Sequence, residues 1–419
     1  MNFYKAIPKD IRYRIRNLRH LVFEVTDRCN LNCKYCTYSE LYRGNDARVG
    51  SDMSYKRAKM IIDYLYDLWK EDKTDGNNYE FAVSFYGGEP LMNVPFIKQV
   101  IEYLDSLELE KIGKIITFSM TTNAMLLDQY MDYLVEKGFS LLISLDGDEF
   151  AQSYRIDHDG KDSFDRVFRN INLLKEKYPE YFKNKVSFNS VLHNRNNVEG
   201  TVQFIRTQFD KIPRISPINE VGICEEKKEE FVKMYRNFVE SFFQSRNCEA
   251  IESELFLQSP RVALLSDYIM YQSGNNYQDF NELCFNKDDT PIMTTGTCVP
   301  FATKMFVTVS GKILPCERIM QQFSLGQVHA DRVELNEEYI AERHNYYVSK
   351  YEKQCANCAD NRSCMQCVYQ IDDICKENTL CPNSLTKKEL EKRNEDIFKF
   401  LKEYPHYYRK ILEEVKNER

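Results

Sequence analysis

Cys29, Cys33 and Cys36 fall within eight residues, directly after the β-branched and aromatic run HLVFEVT that begins at His20. Few features constrain a chain more, because three thiolates delivered from one strand end have to be arranged around a common centre. The spacing C-x3-C-x2-C can place three thiolates on one side of a 4Fe-4S cluster and leave the fourth iron open to a substrate or cofactor. Zinc would ask for four ligands, and no fourth cysteine or histidine adjoins this stretch.

The remaining cysteines argue in the same direction. Of 14 in the chain of 419 residues, eight lie between Cys298 and Cys381. The N-terminus MNFYKAIPKDIRYRIRN carries charges where a signal peptide needs an apolar run, and no later stretch approaches a membrane span. A cytoplasmic, reducing location is therefore expected, with thiolates serving metal rather than disulfides. The net charge of -7 gives no broad basic surface, which argues against nucleic acid as the main partner. Hydrophobic residues make up 43% of the chain, enough for real cores.

Short strand-like runs alternate with amphipathic segments from about residue 20 to 222, the pattern of repeated β-α units. Six strands are expected: from His20, Phe81, Ile115, Ser140 and Lys185, and a weaker one from Arg214. Helices are expected at Tyr55–Trp69, Pro95–Leu107, Asp128–Lys137, Phe164–Tyr178 and Val198–Phe209. Six repeats predict an α/β fold with a partial (β/α)6 TIM-like barrel over residues 1–222. A helical bridge is expected at 223–297, a cysteine-rich domain at 298–385 and a helical segment at 386–419, broken near Pro405. Parallel β/α barrels place chemistry at the C-terminal strand ends. Cys29, Gly87, Asn123, and Ser144 with Asp146, all follow expected strands.

The motif CNLNCKYC resembles the signature of the radical S-adenosylmethionine (SAM) superfamily, in which SAM is chelated by the open iron and cleaved to a 5'-deoxyadenosyl radical. Phe85-Tyr86-Gly87-Gly88-Glu89-Pro90 is similar to the superfamily's GGE motif. The resemblance implies that backbone and carboxylate there receive the SAM ammonium, with Gly87 and Gly88 letting the backbone come close. It further places Tyr35 near adenine, Asn123 and Ser144 at the ribose or methionine moiety, and Arg155 on the SAM carboxylate. A buried tyrosine or polar loop caps would read the same way.

Downstream, Cys298-x12-Gly311-x4-Cys316, then Cys355-x2-Cys358-x5-Cys364-x2-Cys367, and finally Cys381 resemble the SPASM domain, which binds two auxiliary 4Fe-4S clusters. The family usually has three residues between the last two cysteines of the central group; here there are two. The resemblance assigns Cys355, Cys358, Cys364 and Cys381 to a distal cluster and Cys298, Cys316 and Cys367 to a proximal one. Cys284 is a candidate fourth ligand of the latter, unless that position is open to substrate, and Cys375 could compete with Cys381. Cys224 and Cys248 read as small buried residues. A zinc ribbon remains the plainer account of the CxxC group alone.

Taken over nearly the whole chain, these segments resemble radical SAM peptide maturases associated with Bacteroidales-type precursors that carry a Gly-Gly leader. That resemblance implies three 4Fe-4S clusters, SAM, a ribosomally made precursor peptide as substrate and an electron donor such as flavodoxin or ferredoxin. Strand one begins too early for an N-terminal leader-binding domain, so a separate leader-binding protein is a possible partner; no nucleic-acid or membrane partner is expected. Glu317, directly after Cys316, matches an aspartate proposed as proton acceptor in sulfatase-maturing relatives, and an arginine partner or loop cap is its plainer role. Sulfatase maturation is the rival activity; a non-catalytic metal scaffold would not need the GGE and strand-end residues.

Overall fold

The computed structural model describes residues 2–71, 79–272, 291–377 and 379–415. All six expected strands form: β1 (His20–Thr26), β2 (Tyr79–Gly87), β3 (Lys114–Thr122), β4 (Ser140–Ser144), β5 (Val186–Leu192) and β6 (Arg214–Pro217). They pair in parallel and in chain order, with helices at Tyr55–Lys70, Val94–Ser106, Leu127–Glu136, Phe164–Lys177 and Val198–Phe209 between them. The sheet then continues beyond what the sequence suggested. Strand β7 (Met305–Val307) runs parallel to β1 on its other side, and β8 (Lys312–Leu314), β9 (Gly326–Val328) and β10 (Val333–Glu334) follow as antiparallel neighbours. The full order, β10-β9-β8-β7-β1-β2-β3-β4-β5-β6, is an open sheet with β1 in its interior.

The period-two alternation of these strands gives the sheet two unlike faces. Phe23, Phe81, Val83, Phe85, Ile143 and Phe188 are fully buried on one face. Aromatic contacts fix it to the helices: Phe23 meets Phe96 edge-on at 6.1 Å, Trp69 meets Phe81 at 4.7 Å and Phe188 stacks on Phe209 at 4.9 Å. The opposite face carries half-buried small and polar residues, among them Ser84, Tyr86, Ser119, Thr121, Ser144, Asn189 and Ser216. On this face Ser84 Oγ joins His20 Nε2, at 2.6 Å, to Ser119 Oγ.

Chain order and compactness do not coincide. One compact unit comprises Ile7–Ser241 and Val299–Ala341, and so contains the whole sheet; the other comprises Met1–Ala6, Phe242–Cys298 and Glu342–Arg419. Cys316 belongs to the first unit, and Cys298, Cys355, Cys358, Cys364, Cys367 and Cys381 to the second. The second unit has a core of its own, built from Phe256, Val262, Leu265, Ile269, Ile397 and Ile411. Its C-terminal helices, Lys387–Glu403 and His406–Glu414, break at Pro405 as the sequence indicated, and Thr386 with Glu389 forms a capping box on the first. Among the described residues no helix is long and apolar enough to cross a membrane.

The two faces should respond differently to truncation. Phe85→Ala is expected to cost about 3–5 kcal/mol, the range for losing a buried phenylalanine, whereas Ser84→Ala should cost about 1 kcal/mol, the worth of a hydrogen bond. Thermal unfolding of the two variants checks this, and equal losses would contradict a one-sided core.

Candidate active site

The three N-terminal cysteines lie on a loop that leaves β1 and is held from both sides. On one side Asn32 and Lys34 donate backbone N–H groups to the carbonyls of Ile156, at 2.6 Å, and Tyr154, at 3.1 Å, while His158 Nε2 meets the Cys29 carbonyl at 2.7 Å. On the other, Gly88 N donates to Thr26 O at 2.8 Å and Glu89 N to Arg28 O at 2.9 Å. The Asp27 carboxylate accepts from Val49 N and Ser51 N, at 3.1 and 2.7 Å, and Arg28 forks onto Asp52.

The two glycines sit where this loop passes close to other main chain. Gly87 sits at φ +127°, and a Cβ on it would lie 2.5 Å from Thr26 O; a Cβ on Gly88 would lie 1.9 Å from Arg28 O. What only glycine allows here is the approach of this loop to the base of the cysteine loop. Glu89 is also turned inward. It is 1% exposed, with Oε1 accepting from Leu91 N at 3.1 Å and Thr122 Oγ1 at 2.7 Å, and Oε2 from Asn123 N at 2.7 Å. Burial pushes its carboxyl up to about 7 against these three donors. It pins the ends of β2 and β3 together.

Asn123, also buried, donates Nδ2 to Asn30 Oδ1 at 2.7 Å and lies 3.8 Å from Cys29 Sγ. Ser144 ends β4 in register with Asn189, which receives a hydrogen bond from Ser216 at 2.8 Å. Both therefore stand at strand ends on the cysteine-loop side.

Tyr35 and Arg155 meet at one carboxylate. The Tyr35 hydroxyl donates to the Asp146 carboxylate, and its ring stacks on His193 with centroids 5.5 Å apart. Arg155 grips the same carboxylate twice, Nε to Oδ2 and Nη2 to Oδ1, each at 3.0 Å. Tyr35 is thus a buried residue of the cysteine loop, and Arg155 has a buried anion as partner. Asp146 itself is completely buried; it accepts also from Val191 N at 2.9 Å, and its carbonyl receives Asn196 Nδ2 at 3.0 Å. Burial alone would raise its carboxyl, but Arg155 and the bond with His193 overturn this and hold it well below the usual carboxylate range. His193 Nδ1 accepts from Arg195 N at 3.1 Å, which leaves the proton on Nε2, facing Asp146 Oδ2 at 3.5 Å. The sequence marked Asp146 only as following a strand, and gave no sign of His193 or Asn196.

Burial pushes the Cys29 thiol up to about 11 and the Cys33 thiol up to about 12, each raised further by neighbouring cysteines and, for Cys33, opposed by Arg155. Metal binding at this loop would have to displace those protons. Beside it, a cavity of about 300 Å³ is lined by Glu24, Tyr38, Asp46, Arg48, Arg57 and Val309. Glu24 is 3% exposed, accepts from Val309 N at 2.9 Å and is pushed up to about 7 by burial. Glu317 is ion-paired to Lys304 at 3.0 Å, its carboxyl held low because Lys304 outweighs the effect of burial. Lys304 is its ion-pair partner, and Arg318 also helps to hold the carboxyl low.

In the second unit the Cys355 thiol is pushed up to about 11, first by burial and then by Cys364, Cys381 and Cys358, so these four act on one another; Cys298 acts likewise on Cys367. Cys358 Sγ accepts from Leu385 N at 3.4 Å. Cys375 is exposed, Cys224 and Cys248 are half-buried, and Cys284 lies outside the described residues. Among the described residues no three His, Cys, Asp or Glu side chains close around a single ion position. A cluster at these sites therefore rests on cysteine spacing and mutual proximity.

Residues 23–208 match the family model of the radical SAM superfamily. The chain is 26% identical over 213 residues to the radical SAM cyclopropyl synthase TigE of Paramaledivibacter caminithermalis, a match spanning 50% of this chain but only 42% of that protein. A cysteine-type anaerobic sulfatase-maturating enzyme of Clostridium novyi is 22% identical over 361 residues, 82% of this chain and 86% of that one. The solved structure of native anSMEcpe with bound AdoMet shares the fold, with a TM-score of 0.57 at 18% identity over 95% of this chain and 100% of that chain.

Two substitutions probe the loop contacts. Gly88→Val should displace the Arg28 carbonyl and reduce iron at the N-terminal site, read as iron per chain after anaerobic reconstitution. Glu89→Gln presents an N–H to one of three donors and should cost about 1–3 kcal/mol, read as a lowered thermal midpoint. Unchanged iron and midpoint would dissociate both residues from the loop.

Proposed function

We propose that this chain is a SAM-dependent radical enzyme that oxidatively modifies a ribosomally made precursor peptide. The match of residues 23–208 to the radical SAM superfamily supports a 4Fe-4S cluster and SAM, and Cys29, Cys33 and Cys36 have the chemistry to hold the cluster. When bound, that pair would supply a hydrogen-abstracting radical. The observation that carries the reading is the cysteine loop locked to the Gly87-Gly88-Glu89 loop, with Asn123 beside Cys29 and a polar sheet face next to it. Burial of the thiols and the paired loops fit a centre shielded from water.

The cysteines of the second unit would hold auxiliary iron-sulfur clusters, one on Cys355, Cys358, Cys364 and Cys381 and another that draws on Cys298 and Cys367, giving about twelve irons per chain with the N-terminal site. A flavodoxin or ferredoxin would deliver electrons. Sulfatase maturation is the second reading, favoured by the long match to the Clostridium novyi enzyme. Co-expression with a short peptide encoded nearby, followed by mass spectrometry, separates them. A mass loss or crosslink on the peptide, abolished by replacing Cys29, Cys33 and Cys36 together, is the expected result. Formylglycine on a sulfatase and an untouched peptide would establish the alternative.

Glu317 takes the substrate proton in this reading, with Lys304 keeping its carboxylate ionised and ready to accept. Glu317→Gln should leave 5'-deoxyadenosine formation in place while modified peptide falls about a hundredfold, a usual size for loss of a general base. Full product formation would make the Lys304 ion pair purely structural.

A further inference from the structure

The cavity of about 300 Å³ beside the cysteine loop is walled entirely by the unit that contains the sheet. Glu24 comes from β1, Tyr38 stands two residues beyond Cys36, and Val309 lies two residues beyond β7. Val49, 76% exposed, puts one rim of the cavity at the surface, so a ligand can enter from solution.

Most of the charges on its wall are already engaged. Asp27 accepts from the Val49 and Ser51 N–H groups, Arg28 holds Asp52, and Lys312 Nζ meets Asp46 at 2.5 Å. Glu24 Oε2 accepts from Val309 N at 2.9 Å, while Arg57 donates Nε to Val328 O at 3.3 Å and Nη1 to Val309 O. Arg48 is the exception. Its guanidinium carbon lies 4.1 Å from the centre of the Tyr38 ring, and its Nε is buried without a hydrogen-bond acceptor among the described residues. A buried donor left unsatisfied is costly, and a guanidinium laid on an aromatic face keeps its edge donors for a planar acceptor.

We propose that this cavity is a side-chain pocket for the substrate peptide, in which Arg48 receives a carboxylate, so that the segment docked beside the cysteine loop is acidic. The inference deepens the peptide-modifying reading and rests on it. Carboxylate is the acceptor that matches the guanidinium fork, and the Tyr38 ring fixes the plane of that fork. Glu24 would oppose an anion, but burial pushes its carboxyl up to about 7 and so removes much of its charge near neutral pH. The volume stands at the small end of ligand pockets, which suits one or two side chains of an extended peptide rather than a folded partner.

The test measures binding of three probes, N-acetyl-Gly-Asp-Gly-amide and its asparagine and lysine counterparts, to the anaerobically reconstituted full chain with SAM present. The aspartyl peptide should bind about tenfold tighter than the other two, the worth of one charged hydrogen bond. Folded Arg48→Gln should erase the preference, and Arg48→Lys, which keeps the charge but not the fork, should retain part of it. Equal binding of the three probes, binding of none, or a preference that survives Arg48→Gln would overturn the pocket. Weakened SAM affinity in Arg48→Gln would overturn it too, by giving the carboxylate to SAM. A wild-type chain that shows the preference yet cleaves no SAM would keep the pocket and overturn the radical reading beneath it.

Discussion

The buried carboxylate of Asp146 is the contact on which the candidate active site depends. It stands at the end of β4, and its side chain gathers Tyr35 from the cysteine loop, Arg155 from the segment that brackets that loop, and the backbone of Val191 on β5. Its carbonyl gathers Asn196. An isolated buried carboxylate would be strongly unfavourable, so the arrangement persists only because every member is satisfied at once. Removing Arg155 would leave an uncompensated anion beside the cysteine loop, and removing Tyr35 would strip that anion of one donor. The network's importance is therefore geometric: it ties the cysteine loop, through Tyr35, to the end of β4.

A second constraint is steric. The loops after β1 and β2 are bonded backbone to backbone, and Gly87 and Gly88 mark where any side chain would collide with a carbonyl. Close approach of main chain to main chain is stiffer than side-chain packing, because peptide groups offer few alternative conformations. The cysteine loop is thus held by peptide hydrogen bonds on one side and by an ion pair with an aromatic shelf on the other.

Much of this was legible in the sequence, for identifiable reasons. The six parallel strands were readable because β-branched and aromatic residues alternate over five or more positions in most of them, and the five helices because their apolar residues recur with helical period. The C-x3-C-x2-C spacing is local, so it needed no fold to be seen. By contrast β7 to β10 span only two or three residues each, too short for any period, and the helix Glu337–Ser349 lies in a stretch that read as cysteine-rich and irregular. Partners at long range were the other loss. Tyr35 and Asp146 are 111 positions apart, and nothing in either local sequence announces the other. Arg155 was visible as a functional cation, but the anion it meets nine residues upstream is invisible without the turn that joins them.

Strand β7 also changes what counts as a separable piece of this protein. Its register with β1 runs Leu21 to Met305, Val22 to Phe306 and Phe23 to Val307, so the strand that launches the cysteine loop has neighbours on both sides. A chain cut after β6 would keep every residue of the N-terminal motifs, yet expose an apolar strand edge in the middle of what had been a continuous ladder. Such edges recruit other chains. The excised half would be prone to stick to copies of itself, so β7 belongs with the strands it follows in space, far from them in sequence.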